Sequence, residues 1–311
     1  MADTIFGSKK VITEQISEGD LKTYFVGFDI DDNSNRYYRL ENLVTLLLKV
    51  IPEFAFGYHE GTIYPSMVYE LTRDAAKSIY KIKEFEEARR IYESGDCIAD
   101  DEIDKKYLKR GEFGELILHL LLRDFHNTIP LLSKIYFKDA YGSTVHGFDA
   151  VHIQPQTQTL WLGESKLYVN GKSGIKALIS DIKDHIKRDY LNDEFTIISK
   201  KIKPYDNIEE KEYWLKLMDE HTKLLTLCDS VCIPLLCTYT SGIFTKFNDE
   251  NLKEFITEYE QEVRELKKYF DENNDHPLKT KLNIIFLLFP VKCKNSLVKK
   301  MHQRLHYLQG I

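Results

Sequence analysis

Residues 145–168 read VHGFDAVHIQPQTQTLWLGESKLY, and the reading of this stretch decides the fold. Side chains on a strand alternate between faces with a period of two. In the first half Asp149, Val151 and Ile153 share a face; in the second Leu160, Leu162, Glu164 and Lys166 share one. An antiparallel pairing with Asp149 opposite Glu164 sets Val151 against Leu162 and Ile153 against Leu160. The residues left over, QPQTQT, are polar and contain a proline, as a hairpin connection should. A slip of one residue would bury polar side chains, so the pattern selects this register. The shared face is apolar near the loop and acidic at its other end. Two carboxylates there repel each other unless a cation lies between them. Hard divalent ions such as Mg²⁺ take oxygen ligands of this kind.

Upstream, residues 108–125 read as a helix. Phe113, Leu116, Ile117, Leu120 and Leu121 keep the i, i+3, i+4, i+7, i+8 stripe. Its opening, RGEFGEL, places Glu112 and Glu115 three apart on neighbouring positions. A strand over 132–138 and a turn at Gly142 lead into the hairpin. Downstream, NGKSG at 170–174 reads as a turn. An amphipathic helix follows over 175–190, with Ile175, Leu178, Ile179, Ile182 and Ile186 inward. A basic stretch at 197–203, a helix over 209–227 and a buried strand over 231–239 come next; Pro234 argues for an edge or a bulge there. A helix over 251–270, a second buried strand over 282–289 and a closing helix over 295–308 complete the chain.

Toward the N-terminus, 23–30 reads as a strand, 31–36 as a turn and 40–51 as an apolar helix stopped by Pro52. An aromatic-rich segment runs through Tyr64, and 68–92 reads as a long charged helix. Residues 93–104 are acidic and small, and serve as a linker. The chain is thereby divided into an N-terminal α/β accessory region, 1–100, and a domain at 105–311 with helical C-terminal additions.

The 311 residues are 43% hydrophobic and 12% aromatic, enough for one large core or two smaller ones. The net charge of -6 excludes a global basic field, so nucleic-acid binding requires a local patch. Cys97, Cys228, Cys232, Cys237 and Cys293 are odd in number and sparse, the usage expected of reduced thiols in a cytosolic protein. Cys228, Cys232 and Cys237 lack zinc spacing and read as buried strand cysteines. MADTIFGSKK lacks a signal-peptide apolar region. The apolar runs near 44–51 and 283–291 fall short of the about 20 residues a bilayer span needs. The expectation is a soluble, cytoplasmic protein without membrane contact.

Two motifs fail on spacing. Asp29, Asp31 and Asn33 match the start of a calcium loop, but the required Gly is Ser34 and the closing acid is Leu40. Gly171–Lys172–Ser173 resembles the end of a phosphate-binding loop, but the earlier Gly that motif needs is Lys166. No nucleotide cofactor is expected on this chain.

The order helix, strand, strand, strand, helix, strand, with acids at Glu115, Asp149 and Glu164 and Lys166 two residues on, resembles the PD-(D/E)xK nuclease superfamily. The resemblance implies an α/β fold: an αβββαβ restriction-endonuclease-like core with a mixed central sheet flanked by helices. The usual Pro-Asp is here Phe148-Asp149. The superfamily's first helix tends to read Gly, three residues, Glu, which Gly111 and Glu115 fit. More narrowly, RGEFGELILHLLL, GFDAVHI, LWLGESKLY and GIKALISDIKDHI are similar to the landmarks of the HamA nuclease family of Hachiman anti-phage systems. That resemblance implies a Mg²⁺-dependent (or Mn²⁺-dependent) nuclease that degrades DNA beside a helicase subunit, HamB. The chain has no helicase motifs, so ATP hydrolysis would come from the partner.

In the role the resemblance implies, Asp149 and Glu164 hold the ion, aided by the carbonyl of Ser165 and by Glu115. Lys166 orients the attacking water or stabilises developing charge. Against this, isolated Glu-x-Lys triplets usually mark a solvated strand edge, and a first-turn glutamate such as Glu115 also serves a helix dipole. Glu112 reads as a dipole or capping residue. His146 and His152 flank Asp149 on the opposite face and read as packing or surface residues. Lys172, Lys176, Lys183 and Lys187, with Arg188, Lys200, Lys201 and Lys203, are candidate phosphate contacts. Asp181, Asp184 and Asp189 are interleaved with them, and a merely solvated face explains that pattern equally well. Two other functions fit the residues: an RNA-cleaving nuclease of the same fold, and a catalytically silent nucleic-acid or partner-binding adaptor.

Overall fold

The computed structural model describes residues 4–57, 68–79, 111–132 and 147–309. Strand β1 (Ile12–Glu18) turns into β2 (Leu21–Val26), and β3 (Phe28–Ile30) pairs with β4 (Arg36–Tyr38) as a separate ribbon. Helix α1 (Leu40–Phe56) and α2 (Val68–Ile79) follow, then α3 (Gly111–Phe125) and the short β5 (Ile129–Pro130). The hairpin is β6 (Ala150–Gln154) and β7 (Thr159–Tyr168). Helices α4 (Gly171–His185), α5 (Arg188–Ile202), α6 (Lys211–Leu217) and α7 (Leu224–Ser230) lead to β8 (Val231–Thr240). After α8 (Ile243–Lys246) and α9 (Lys253–Asn273), β9 (Asn283–Val291) and α10 (Lys294–Gln309) end the described chain.

Seven of these strands form one sheet in the order β1-β2-β9-β8-β7-β6-β5. The β2, β9, β8 and β7 neighbours run parallel, while β1, β6 and β5 join antiparallel. Parallel strands need long crossovers, and helices supply those between β7 and β8 and between β8 and β9. The sheet is therefore covered on both faces. Along β8, Cys232 and Leu236 pack among side chains of α1, α3 and α10, whereas Ile233, Leu235 and Cys237 pack among those of α4, α5 and α9.

The hairpin pairs as the alternation requires: Val151 with Leu162 and Ile153 with Leu160. All four are buried, each contributing about 1.5–3 kcal/mol by leaving water. The turn is a 3₁₀ segment, Pro155–Thr157, closed by Gln158 in the left-handed region. The α3 stripe is buried throughout.

Several expectations are corrected. Pro52 does not stop α1, which continues to Phe56 and ends on Gly57, whose N–H donates to the Glu53 carbonyl. The lost backbone bond is outweighed by burial of Val50, Ile51, Phe54 and Ala55 on both sides of it. Pro234 lies in a central strand rather than at an edge. Its ladder to β9 is unbroken, while the β7 ladder skips from the Trp161–Cys232 pair to the Glu164–Leu235 pair. The Pro234 ring fits there because residue 163 is glycine: a Cβ on it would lie 3.2 Å from Pro234 Cγ.

Residues 171–174 are not a turn but the first turn of α4, capped by Asn170 Oδ1, which accepts from the Ser173 N–H at 3.0 Å. The helix expected over 175–190 breaks after His185 and restarts as α5, which absorbs the basic stretch at 197–203. The 209–227 helix is two short ones. Strand β1 is not among the expected elements. Cys228, Cys232 and Cys237 are free and buried, but Cys293 is disulfide-bonded, contrary to the expectation of thiols throughout. The expected strand at 132–138 (beyond Leu132), the Gly142 turn, the 93–104 linker, most of 57–64 and the far part of the 68–92 helix lie outside the described residues, as do Cys97 and His146.

Behind the hairpin, a buried polar network fixes α3. Glu53 of α1 accepts from Arg123 Nε at 2.7 Å and pairs with His119 Nε2 at 2.9 Å. Arg123 also donates to the Thr128 carbonyl, and the Thr128 hydroxyl bonds the buried His152 ring at 2.8 Å. His152 is thus a packing histidine. Burial raises the Glu53 pKa, but the hydrogen bonds and charges of His119 and Arg123 outweigh it and hold the carboxyl below its ordinary value.

Candidate functional site

Alternation along β7 puts Glu164 and Lys166 on the α4 side of the sheet and Ser165 on the α3 side. The α3 backbone comes close: a Cβ on Gly114 would lie 3.3 Å from Ser165 Oγ. Asp149 stands one residue before β6, at the open end of the hairpin. Its Oδ2 accepts from both the backbone N–H and the hydroxyl of Ser165, each at 2.9 Å. The residue between Glu164 and Lys166 therefore ties Asp149 to β7.

Glu164 is almost fully buried. Burial first, and the neighbouring Asp149 charge second, push its carboxyl up to about 7, while His185 pulls the other way. His185 closes α4, and its Nδ1 lies 2.5 Å from Glu164 Oε1. Burial lowers the His185 pKa, but the hydrogen bond and charge of Glu164, with Asp181, raise it overall. One turn earlier on the same helix, Asp181 forms an ion pair with Lys166. Burial lowers the Lys166 pKa, and the charges of Asp181, Asp149 and Glu164 outweigh it, holding the ammonium above the ordinary lysine value. Glu164, Lys166, Asp181 and His185 thus form one charged cluster between β7 and α4, with Asp149 at the end of the hairpin near enough for its charge to act on Glu164 and Lys166.

Glu115 is buried in the first turns of α3. Its side chain runs back toward the helix start, with Oε1 3.6 Å from where a Gly111 Cβ would stand. It belongs to the helix that packs over Ser165, on the opposite sheet face from Glu164 and Lys166. Glu112 is half-buried.

The α4 lysines stand elsewhere. At about 100° per residue, Lys172, Lys176 and Lys183 lie roughly 180–220° from Asp181. The buried stripe Ile175, Leu178, Ile179 and Ile182 separates the two sets. Lys172 lies over the Tyr269 ring at 5.4 Å, and Lys183 pairs with Asp275 at 2.5 Å. Lys187 pairs with Asp184 at 2.8 Å. None of these distances joins them to Glu164.

Asp181 and His185 do not stand out in the sequence because they look like parts of a mixed-charge helix. Their signal is spacing: four apart on α4, they face one direction, just beside the inward isoleucines.

The donor set suits a hard divalent ion. Among the described residues no three His, Cys, Asp or Glu side chains gather tightly enough to hold an ion by themselves. Magnesium does not require that, because it commonly keeps several waters and uses one or two carboxylates. Asp149 and Glu164, close enough that one raises the pKa of the other, are such a pair.

Among the described residues no helix is long and apolar enough to cross a membrane. No curated protein matches the chain, and no solved structure does. A protein-family model, HamA, matches residues 4–305. With nearly its whole length so matched, the chain belongs to the HamA family of Hachiman anti-phage defence, and so to a defence system with other subunits.

Proposed function

We propose that this protein is the metal-dependent nuclease subunit of its defence complex, hydrolysing phosphodiester bonds in DNA with a helicase subunit, HamB, as partner. The observation that carries the reading is the meeting of Asp149 and Glu164 at the open end of the β6–β7 hairpin, with Lys166 on the same face as Glu164. The run α3-β5-β6-β7-α4, with β8 later joining parallel to β7, supports a PD-(D/E)xK core.

In this reading Asp149 and Glu164 would hold Mg²⁺ or Mn²⁺, with the Ser165 carbonyl as a further donor, while Glu115, on the other face of the sheet from Glu164, is left outside the ion's ligands. The bound ion supplies charge for the phosphate oxygens and acidifies its water. Ser165 keeps Asp149 oriented through its N–H and hydroxyl. Lys166 places a positive charge beside the scissile phosphate and stabilises the negative charge that grows there. Burial of Glu164 keeps these charges in a low-dielectric setting, where each counts for more than in water. DNA is gripped chiefly by the helicase partner, which the acidic net charge of this chain favours. The α4 lysines contribute to duplex lying along the outer side of that helix.

The test is a nicking assay on duplex DNA, with structured RNA digested in parallel. Glu164→Ala and Lys166→Ala abolish nicking while circular dichroism stays that of the wild type. Cleavage that persists in both variants, or without divalent metal, sinks the proposal. Preferential digestion of RNA replaces DNA as the substrate.

A further inference from the structure

We propose that His185 is a positioning residue for Glu164: it occupies one carboxylate oxygen and thereby fixes the other for the cation. The inference rests on the metal-site reading above and extends it to a residue outside the acid and lysine set. Its basis is geometric. The His185 Nδ1 to Glu164 Oε1 distance is 2.5 Å, so the imidazole addresses a single oxygen of a side chain that is itself buried. The ring is held from two sides. Tyr190, two residues into α5, stacks on it with centroids 4.4 Å apart and planes at 10°. Phe148, next to Asp149, meets it edge-on at 5.8 Å and 80°. The same Phe148 packs at right angles to Tyr190 at 6.0 Å.

A histidine fixed this firmly cannot follow Glu164 through rotamers; Glu164 must conform to it. The break between α4 and α5 after His185 is what brings Tyr190 back over the ring. Outer-shell hydrogen bonds of this kind orient ligating carboxylates, and losing one typically costs about 10- to 100-fold in metal affinity.

The experiment titrates Mn²⁺ calorimetrically into the purified full chain and its variants, with no nucleic acid present. Wild-type binding is expected to vanish in Glu164→Ala and to weaken roughly 10- to 100-fold in His185→Ala. His185→Asn, whose amide nitrogen takes the place of the ring Nδ1 and can still donate to Oε1, is expected to restore most of it. Should His185→Ala fail to fold, His185→Phe takes its place, since its ring can keep the stacking on Tyr190 but has no donor: weak binding there with near-normal binding in His185→Asn supports the inference equally. Equal affinity in wild type and all His185 variants overturns the inference while leaving the metal reading intact. Tighter binding in His185→Ala also overturns it, because the imidazole would then be competing with the ion. Binding indifferent to Glu164→Ala overturns the metal reading and the role of His185 with it.

Discussion

The ammonium of Lys166 on β7 is ion-paired with the carboxylate of Asp181 on α4. Both side chains are about three-quarters buried, so the pair is shielded enough to matter but open enough to exchange. Asp181→Asn keeps the shape and removes the charge. It is expected to cost about 1 kcal/mol in urea unfolding. It is expected to slow nicking by roughly 10- to 100-fold through a misplaced Lys166. Unchanged nicking with unchanged stability would mean that the pair is incidental.

Asp149 gives a test of the ion that does not pass through catalysis. Asparagine can still accept both Ser165 hydrogen bonds through Oδ1, so Asp149→Asn should fold as the wild type does. Mg²⁺ at 100 times its dissociation constant should stabilise the wild type by about 2.7 kcal/mol. The same titration should leave Asp149→Asn unmoved in a thermal melt.

The Glu53 network predicts a pH effect on stability. The folded carboxyl has its pKa below the ordinary value. Its contribution is therefore fully present above about pH 4.5 and is lost as pH falls through the folded value. Glu53→Gln should cost about 1.5–3 kcal/mol at pH 7. Its unfolding free energy should decline less than the wild type's between pH 5 and 3, as read from urea titrations at stepped pH.

Gly174 tests how closely α4 sits on the sheet. A Cβ there would lie 2.7 Å from Cys237 Sγ. Gly174→Ala should destabilise by about 1–3 kcal/mol. Adding Cys237→Ala should recover about 1 kcal/mol of that loss, a coupling that a double-mutant cycle reads directly.

Local pattern carries much of the fold. The hairpin register is legible because a one-residue slip inverts every side chain, and the α3 stripe because five apolar residues hold one face. Buried strands β8 and β9 are legible as apolar runs. Strand β1 is not, because ITEQISE buries only Ile12 and Ile16, and the register shift between Glu14 and Ile16 interrupts the two-residue period. Pro52 and Pro234 mislead for one reason: local backbone preference is outvoted when burial on both sides, or a glycine opposite, absorbs the cost. Asp149, Glu164 and Lys166 can be placed from the hairpin alone. Asp181 and His185 cannot, since what distinguishes them from other charges on α4 is which strand that helix covers. That is a fact of tertiary structure.

The sheet order has a consequence for how the molecule is made. Leu21 of β2 pairs with Phe286 of β9, and β9 also carries β8. The N-terminal hairpin thus emerges from the ribosome long before its docking strand exists, and two strands alone are marginal in water. Pairings so distant in sequence also close slowly. A chain interrupted before β9 would contain every residue of the Asp149–Glu164 cluster, yet β1 and β2 would have no sheet to join. Completion of this sheet waits for the synthesis of β9, and a fragment that stops before it is an incomplete sheet for cellular proteases to remove.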